Sequence, residues 1–148
     1  MRSIIGNRTK RGGFTLVELL IVVIIIGILS GGMMLVAGSG TDKAEATRIV
    51  SDLRTLKTAA LMYAADNNMV WTETINDLST YLDKSLASSD YGLEAGSDDL
   101  WVLYTGTPVD GVKKQLATMA EKERNLFGTP SMGDLYEKSD SKVYMKVR

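Results

Sequence analysis

The strongest constraint in this sequence is an apolar run from Phe14 to Ala37 that contains a single charged residue, Glu18. As a helix, these 24 residues would extend about 36 Å at about 1.5 Å per residue. The hydrocarbon core of a bilayer is about 30 Å thick, and the apolar region of a cleaved secretory signal has only about 7–15 residues. The run therefore predicts a membrane-spanning helix. A secretory signal cleaved near residues 30–32, where small residues follow one another, is the alternative.

The flanking charges predict the direction in which this helix crosses the membrane. Four basic residues and no acidic residue precede the run, namely Arg2, Arg8, Lys10 and Arg11. The formal net charge of the chain is -1, so removing these four charges leaves residues 14–148 at -5. Because basic residues beside a membrane span stay on the cytoplasmic side, we expect the N-terminus in the cytoplasm and the rest of the chain outside.

The residue types that are missing narrow the functional classes. The chain has no cysteine, which excludes a disulfide framework and a thiolate metal site. It also has no histidine, the commonest general base and a frequent metal ligand. We therefore expect no enzymatic activity, no catalytic residue, no cofactor and no metal site. Calcium bound by acidic residues of a loop is a minor alternative, although their spacing fits no EF-hand; the candidates are Asp90, Glu94, Asp98 and Asp99.

Residues 12–29, with the sequence GGFTLVELLIVVIIIGIL, contain a more specific signal. Gly13 stands at the junction between the basic leader and the apolar run, Phe14 follows it, and Glu18 lies four residues further on. This pattern resembles the class III signal of type IV prepilins and pseudopilins. The resemblance implies that a prepilin peptidase cuts after Gly13 on the cytoplasmic side and methylates the new amino terminus at Phe14. The apolar helix would then remain in the mature protein.

The resemblance also implies a role and partners for the intramembrane carboxylate. In an assembling filament, Glu18 would pair with the Phe14 amino group of a neighbouring subunit. This pairing cancels two charges that would each be costly alone in an apolar filament core, and it can set the axial register of the helices. The implied partners are other pilin subunits, the prepilin peptidase, an inner-membrane assembly platform and, before assembly, membrane lipid.

The sequence predicts three parts and an α+β fold. Residues 1–13 form a leader that is cleaved, residues 14–40 form the transmembrane or assembly half of a long helix, and residues 41–148 form a pilin-like head that includes the amphipathic second half of that helix. The helix packs on a small head with short helices and a small antiparallel sheet. Many pilins have a proline in the second half of the membrane segment; this chain has none there, so we expect local loosening at the glycines of residues 30–32.

The head begins with an amphipathic pattern that predicts a helix ending near Asn67-Asn68. Its apolar stripe is Ile49, Leu53, Leu56, Ala60 and Tyr63. Its charged residues, Asp52 among them, are expected mostly on other faces.

The sequence patterns in the rest of the head predict short helices, strands and a loop. The predictions are a short helix that starts at Thr74 with an [ST]-x-x-[DE] pattern, a loop over residues 87–99, a buried strand over 100–105, a helix around Val112, Leu116, Met119 and Ala120 closed by Gly128 and Pro130, and a half-buried strand over 142–147.

Three aromatic residues of the head are candidates for stacking on nucleic acid, namely Trp71, Tyr91 and Trp101. No basic patch surrounds them in the sequence, and residues 14–148 are acidic overall. We therefore expect these residues to pack in the core and expect no nucleic-acid partner.

The functional prediction is a structural subunit of a type IV pilus or related filament, held in the inner membrane and then assembled into a periplasmic or extracellular filament. A pseudopilin of type II secretion and a competence pilin are alternatives within the same class. Major pseudopilins usually have a tyrosine-proline pair soon after the long helix, whereas residues 68–71 read NMVW here. The alternative from another class is a signal-anchored extracytoplasmic binding domain that never polymerises and leaves Gly13 uncut.

Overall fold

The structure is a computed structural model that describes residues 13–96 and 99–148, apart from the side chains of residues 33–39. The chain divides into two units, Met1–Ala37 and Gly38–Arg148. In chain order the elements are helix α1 (Leu16–Asp66), a 3-10 helix (Ile75–Tyr81), strands β1 (Tyr91–Ala95) and β2 (Leu100–Tyr104), helix α2 (Asp110–Glu123) and strand β3 (Val143–Lys146). The predicted α+β fold, with a long N-terminal helix, short helices and a small antiparallel sheet, is confirmed.

In the first unit, α1 is apolar on every side. Each apolar side chain from Leu16 to Leu29 is between 50% and 84% exposed. Residues 30–32 are helical in the single chain, and local loosening there on assembly stays a prediction. Within the described part of the chain, no helix is both long enough and apolar enough to cross a membrane. The predicted span also includes residues 33–37, whose side chains lie outside the described ones.

In the second unit, α1 packs on the head through the predicted stripe. Ile49, Leu53 and Leu56 are fully buried, and Tyr63 is partly buried against the same core. The helix ends at Asp66, and Asn68 follows in the left-handed conformation with φ 52°. The predicted stop is therefore confirmed. Met69, with φ 64°, continues the left-handed turn, which an apolar residue does not signal in a sequence.

The short helix after α1 starts where it was predicted but is bonded differently. Thr74 is its N-terminal cap residue, yet the Thr74 side chain makes no capping hydrogen bond. The Thr72 hydroxyl instead donates to an Asp77 carboxylate oxygen over 2.6 Å, and the Thr74 N–H donates to the Thr72 hydroxyl oxygen over 3.0 Å. Leu78 anchors this 3-10 helix in the core.

The sheet has three antiparallel strands in the order β1-β2-β3, and it corrects one prediction. The predicted loop over residues 87–99 contains β1, whose Tyr91 lies opposite Tyr104 and whose Leu93 lies opposite Val102. Glycine and acidic residues disfavour strands locally. Pairing with β2 overrides that preference, because it satisfies the backbone groups along one edge of a strand that is buried at every position.

The sheet is buried on both faces. Val102 of β2 packs in the cluster that includes α1 and α2, whereas Trp101 packs with Phe127 and Tyr144 on the opposite face. Phe127 also exchanges backbone hydrogen bonds with Tyr144 over 2.8 and 2.9 Å, so it covers the outer edge of β3. The predicted inner face of the terminal strand is confirmed, because Val143, Met145 and Val147 are buried. On the other face the prediction is wrong only for Tyr144, which Phe127 covers, whereas Lys142 is exposed.

Helix α2 buries the predicted face but ends earlier than predicted. Val112, Leu116 and Ala120 are buried. The helix ends at Glu123, where Arg124 adopts the left-handed conformation and donates its N–H to the Ala120 carbonyl. The prediction that Gly128 and Pro130 close this helix is wrong, because a non-glycine residue forms the left-handed cap four residues earlier than Gly128.

Candidate functional site

The predicted cleavage site lies before the first turn of α1. The side chain of Phe14 is 87% exposed, and a Cβ atom added to Gly13 would meet no other atom within 4 Å. Neither residue packs against the fold, so an enzyme can reach the bond between them without disrupting a described element. The basic leader residues lie outside the described part of the chain. Cleavage and methylation at this bond stay predictions.

Glu18 and Thr15 form a reciprocal cap at the start of α1. The Thr15 backbone N–H and the Thr15 hydroxyl each donate to Glu18 Oε2 over 2.8 Å. In return, the Glu18 backbone N–H donates to Thr15 Oγ1 over 3.2 Å. This is a capping box, in which two N–H groups at a helix start obtain side-chain acceptors. The carboxylate also lies at the positive end of the helix dipole.

The capping box changes the interpretation of Glu18. Sequence reasoning selected this residue only as a charge in an apolar helix, and it missed the role of Thr15. The signal was present, since Thr15 and Glu18 have the [ST]-x-x-[DE] spacing directly before an apolar run. The structure brings Glu18 to Thr15, the residue next to Phe14. Pairing of Glu18 with the Phe14 amino group of another subunit stays a prediction.

No cation lies near Glu18 in the sequence after the predicted cleavage site. From Phe14 onwards, the first basic residue is Lys43. If the chain is cut after Gly13, the new amino group at Phe14 is therefore the positive charge closest to Glu18 in the mature sequence. An apolar environment makes such an unpaired carboxylate costly, which favours contact with an ammonium group.

The head contains a buried carboxylate that was not predicted. Asp52 is only 4% exposed, although it was expected among the charges on the outer faces of α1. It accepts a hydrogen bond from the Tyr91 hydroxyl over 2.9 Å and forms an ion pair with Lys84 Nζ over 2.5 Å. Burial, followed by the hydrogen bond to Asp52, raises the pKa of Tyr91. These contacts join α1 to β1, which indicates a structural role.

The acidic residues proposed as calcium ligands have other partners. Asp99 pairs with Lys146 over 2.6 Å, Glu94 accepts from the Tyr144 hydroxyl over 3.1 Å, and Asp90 accepts from Ser89 Oγ over 3.0 Å. Asp98 lies outside the described residues. In the part of the chain that the structure describes, no group of three or more acidic residues is placed to hold a metal ion.

The aromatic candidates for nucleic-acid stacking pack mainly in the protein. Trp101 is 1% exposed and Tyr91 is 7% exposed, which confirms the predicted core packing for these two. Trp71 is partly buried, and the guanidinium of Arg148 lies over its ring at 5.2 Å.

The comparisons with known proteins agree with the geometry at the helix start. Residues 8–34 match the family described as the prokaryotic N-terminal methylation motif. This motif, the apolar helix within it and the small α+β head together support a type IV pilin-like protein. No solved structure matches the chain significantly.

The curated relatives are proteins named type II secretion system core protein G. The chain is 38% identical over 62 residues to the one from Klebsiella michiganensis, which covers 42% of this chain and 44% of the relative. It is 36% identical over 62 residues to that of Aeromonas hydrophila, covering 42% and 43% respectively. It is 37% identical over 59 residues to that of Escherichia coli, covering 40% and 41%. The chain thus spans less than half the length of these relatives.

Proposed function

We propose that the chain is a structural subunit of a pilin-like filament, and specifically a pseudopilin of a type II secretion system. A prepilin peptidase cuts after Gly13 and methylates Phe14, and the mature helix then enters a filament. The observation that carries the proposal is the methylation motif at residues 8–34, ending in an apolar helix that offers no buried side between Leu16 and Leu29.

The secretion assignment is supported by the names of the relatives, all of which are core proteins of type II secretion. The missing tyrosine-proline pair after α1 weakens this assignment without excluding it. The matched stretches of about 60 residues weigh more. A type IV pilus subunit and a competence pilin are the alternatives that the experiments below separate.

The surface of α1 supports a membrane-anchored precursor. A helix that is apolar all round is stable in lipid or among other apolar helices, and it is costly in water. We propose that residues 14–40 lie in the inner membrane before assembly and in the filament core afterwards, with residues 41–148 outside. In this scheme, lipid and the helices of other subunits cover the same side chains in succession.

The first test is the intact mass and N-terminal sequence of the protein from its native membrane. The proposal expects a chain that starts at N-methylated Phe14. A chain that retains Met1, or that starts after Gly32, contradicts the proposal and favours an anchored or secreted domain.

The second test separates the two roles of Glu18 with a matched pair of variants. Glu18→Gln retains a side-chain oxygen for the capping box but removes the charge, and Thr15→Ala removes the threonine hydroxyl while retaining the charge. If charge pairing drives assembly, Glu18→Gln should be processed normally but form few or no filaments. Thr15→Ala should form them at near wild-type level, since a lost helix cap costs only about 1 kcal/mol.

The opposite result for the two variants would assign Glu18 a different role. Normal filaments from Glu18→Gln would refute charge pairing, and loss of filaments from Thr15→Ala alone would assign Glu18 to helix capping. Electron microscopy of sheared cells measures filament number. Secretion of a substrate into the medium, lost together with the filaments, distinguishes a pseudopilin from a pilus or competence subunit.

A further inference from the structure

The head has an open groove that is rich in positive charge. The groove has a volume of about 620 Å³ and lies between α1, the end of α2 and the C-terminal residues. Its basic residues are Arg54, Lys57, Arg124, Lys146 and Arg148, and no acidic residue lines it. Apolar side chains such as Leu61, Met132 and Val147 complete its surface. We call this surface the basic groove.

The charges of the basic groove are only partly neutralised within the chain. Arg54 pairs with Glu123, and Lys146 pairs with Asp99 over 2.6 Å. Lys57 and Arg124 have no ion-pair partner among the described residues. This concentration of positive charge stands on a chain whose residues 14–148 sum to -5, so an anionic partner is favoured.

A complementary surface follows α1 in the same chain. Between Lys57 and Lys84 the sequence has no basic residue and four acidic ones, namely Asp66, Glu73, Asp77 and Asp83, all of them exposed. Asp66 and Asp77 accept hydrogen bonds only from the neutral hydroxyls of Tyr81 and Thr72, which leaves their charges in place. We call residues 66–83 the acidic flank.

The basic groove and part of the acidic flank lie on opposite sides of an exposed ridge of α1. On one side, Leu61 lines the groove; on the other, Met62 lines a cleft with Tyr81 and Asp83, and Thr58 borders both. Residues 61 and 62 are about 100° apart around a helix with 3.6 residues per turn. Two copies with parallel helices, one rotated about the helix axis relative to the other, would therefore bring the groove of one against the flank of the other.

We propose that the basic groove binds the acidic flank of a second copy of this chain. The contact joins two different surfaces, so each bound pair leaves one groove and one flank free. Such head-to-tail contacts build open polymers rather than closed dimers. The inference rests on the proposed filament function, and it assigns to the head a lateral contact that adds to the contacts of the apolar helices. Exposed Leu61 and Met62 add apolar area between the two charged surfaces.

Thiol cross-linking tests this contact directly, because the chain contains no cysteine. Two full-length single variants, Lys57→Cys and Asp83→Cys, and a chain with both changes are expressed with the assembly machinery. Each sample, including a mixture of the two single variants, is treated with a short bis-maleimide. The mixture of the two single variants should give cross-linked dimers, and a chain with both changes should give a ladder of trimers and longer species. A mixture of Lys114→Cys and Asp83→Cys is the matched control, since Lys114 is an exposed lysine outside the groove.

Charge reversal supplies the second measurement. Lys57→Glu alone and Asp83→Lys alone should each lower the cross-linkable or filamentous fraction about tenfold, because like charges then face each other. The chain with both reversals should recover, since groove and flank are again complementary. Lys114→Glu should change nothing.

The outcomes separate this inference from the proposed function. Filaments that form without the ladder, and that ignore both reversals, overturn the contact and leave the filament proposal standing. A ladder without filaments supports the contact and contradicts the filament proposal, and the absence of both overturns both. Dimers only from the double-cysteine chain indicate a closed pair and refute the head-to-tail arrangement. If the chain binds duplex DNA, and Lys57→Glu loses that binding while its filaments are unchanged, the groove is a nucleic-acid site. That result also overturns the proposed contact between groove and flank.

Discussion

Replacing Asp52 by alanine should destabilise the head more than any other single change of a charged residue on α1. The side chain is 4% exposed and accepts bonds from Tyr91 and Lys84. Hydrogen bonds to a charged group contribute about 1.5–3 kcal/mol each. The Lys84 ammonium is on a side chain that is 55% exposed, so it regains water when Asp52 is removed. The buried Tyr91 hydroxyl does not, and we expect a loss of about 3 kcal/mol.

Urea unfolding of the full-length chain in detergent, followed by tryptophan fluorescence, measures this loss. Glu45→Ala is the matched control, because Glu45 is an exposed acidic residue of α1 without an ion pair among the described residues. The control should change the unfolding free energy by less than about 0.5 kcal/mol. Tyr91→Phe combined with Asp52→Ala should cost less than the sum of the single changes, since the two residues share one hydrogen bond.

A specific result would refute this reasoning about the head. If Asp52→Ala unfolds within about 0.5 kcal/mol of Glu45→Ala, the buried carboxylate does not hold α1 to β1. Additive effects of the Asp52 and Tyr91 changes would equally exclude the hydrogen bond as the source of the stability.

Three further predictions concern single residues. Burial, with Asp140 nearby, raises the pKa of Tyr136 to about 12, so the folded state favours the neutral phenol. The stability from this preference is complete below about pH 10 and is lost as the pH rises towards 12. Between these pH values the free energy of unfolding of Tyr136→Phe should therefore fall by about 2–3 kcal/mol less than that of the wild type. Trp101 is 1% exposed, and its Nε1 has no hydrogen-bond partner among the described residues. In urea unfolding, Trp101→Phe should therefore lower the unfolding free energy by less than about 1.5 kcal/mol and Trp101→Ala by about 3–5 kcal/mol. Equal losses in the two variants would contradict this. Gly13→Val should leave the circular dichroism and the unfolding midpoint unchanged, since a Cβ atom at this position meets no other atom. The intact mass of this variant should show an uncut leader. Normal cleavage would show that the peptidase does not require glycine there.

The predictions that succeeded were those in which the signal is local. The stripe of Ile49, Leu53 and Leu56 repeats with the helix period, and it lies in the core as predicted. The helix stop near Asn68 also depends on the conformation of one residue. The capping box of Thr15 and Glu18 is equally local, and the same spacing rule that was applied at Thr74 would have found it.

Three of the predictions that failed depend on residues distant in the sequence. Strand β1 forms because β2 lies beside it, and its own residues give no strand signal. Tyr144 is buried because Phe127 and Trp101 cover the second face of the sheet. Asp52 is buried because Tyr91, 39 residues later, supplies a donor. Periodicity in one segment contains no information about these partners.

The two roles of Glu18 do not compete for the same atom. Both hydrogen bonds from Thr15 go to Oε2 of Glu18, which leaves Oε1 available for a second donor. A carboxylate can therefore hold the helix start and accept an ammonium group from a neighbouring subunit at the same time. In Glu18→Gln the single oxygen would stay with Thr15 and the amide NH₂ would face the ammonium, donor against donor. The variant should consequently fold its helix normally and still fail to assemble, and helix content by circular dichroism measured beside filament number tests both halves of this argument.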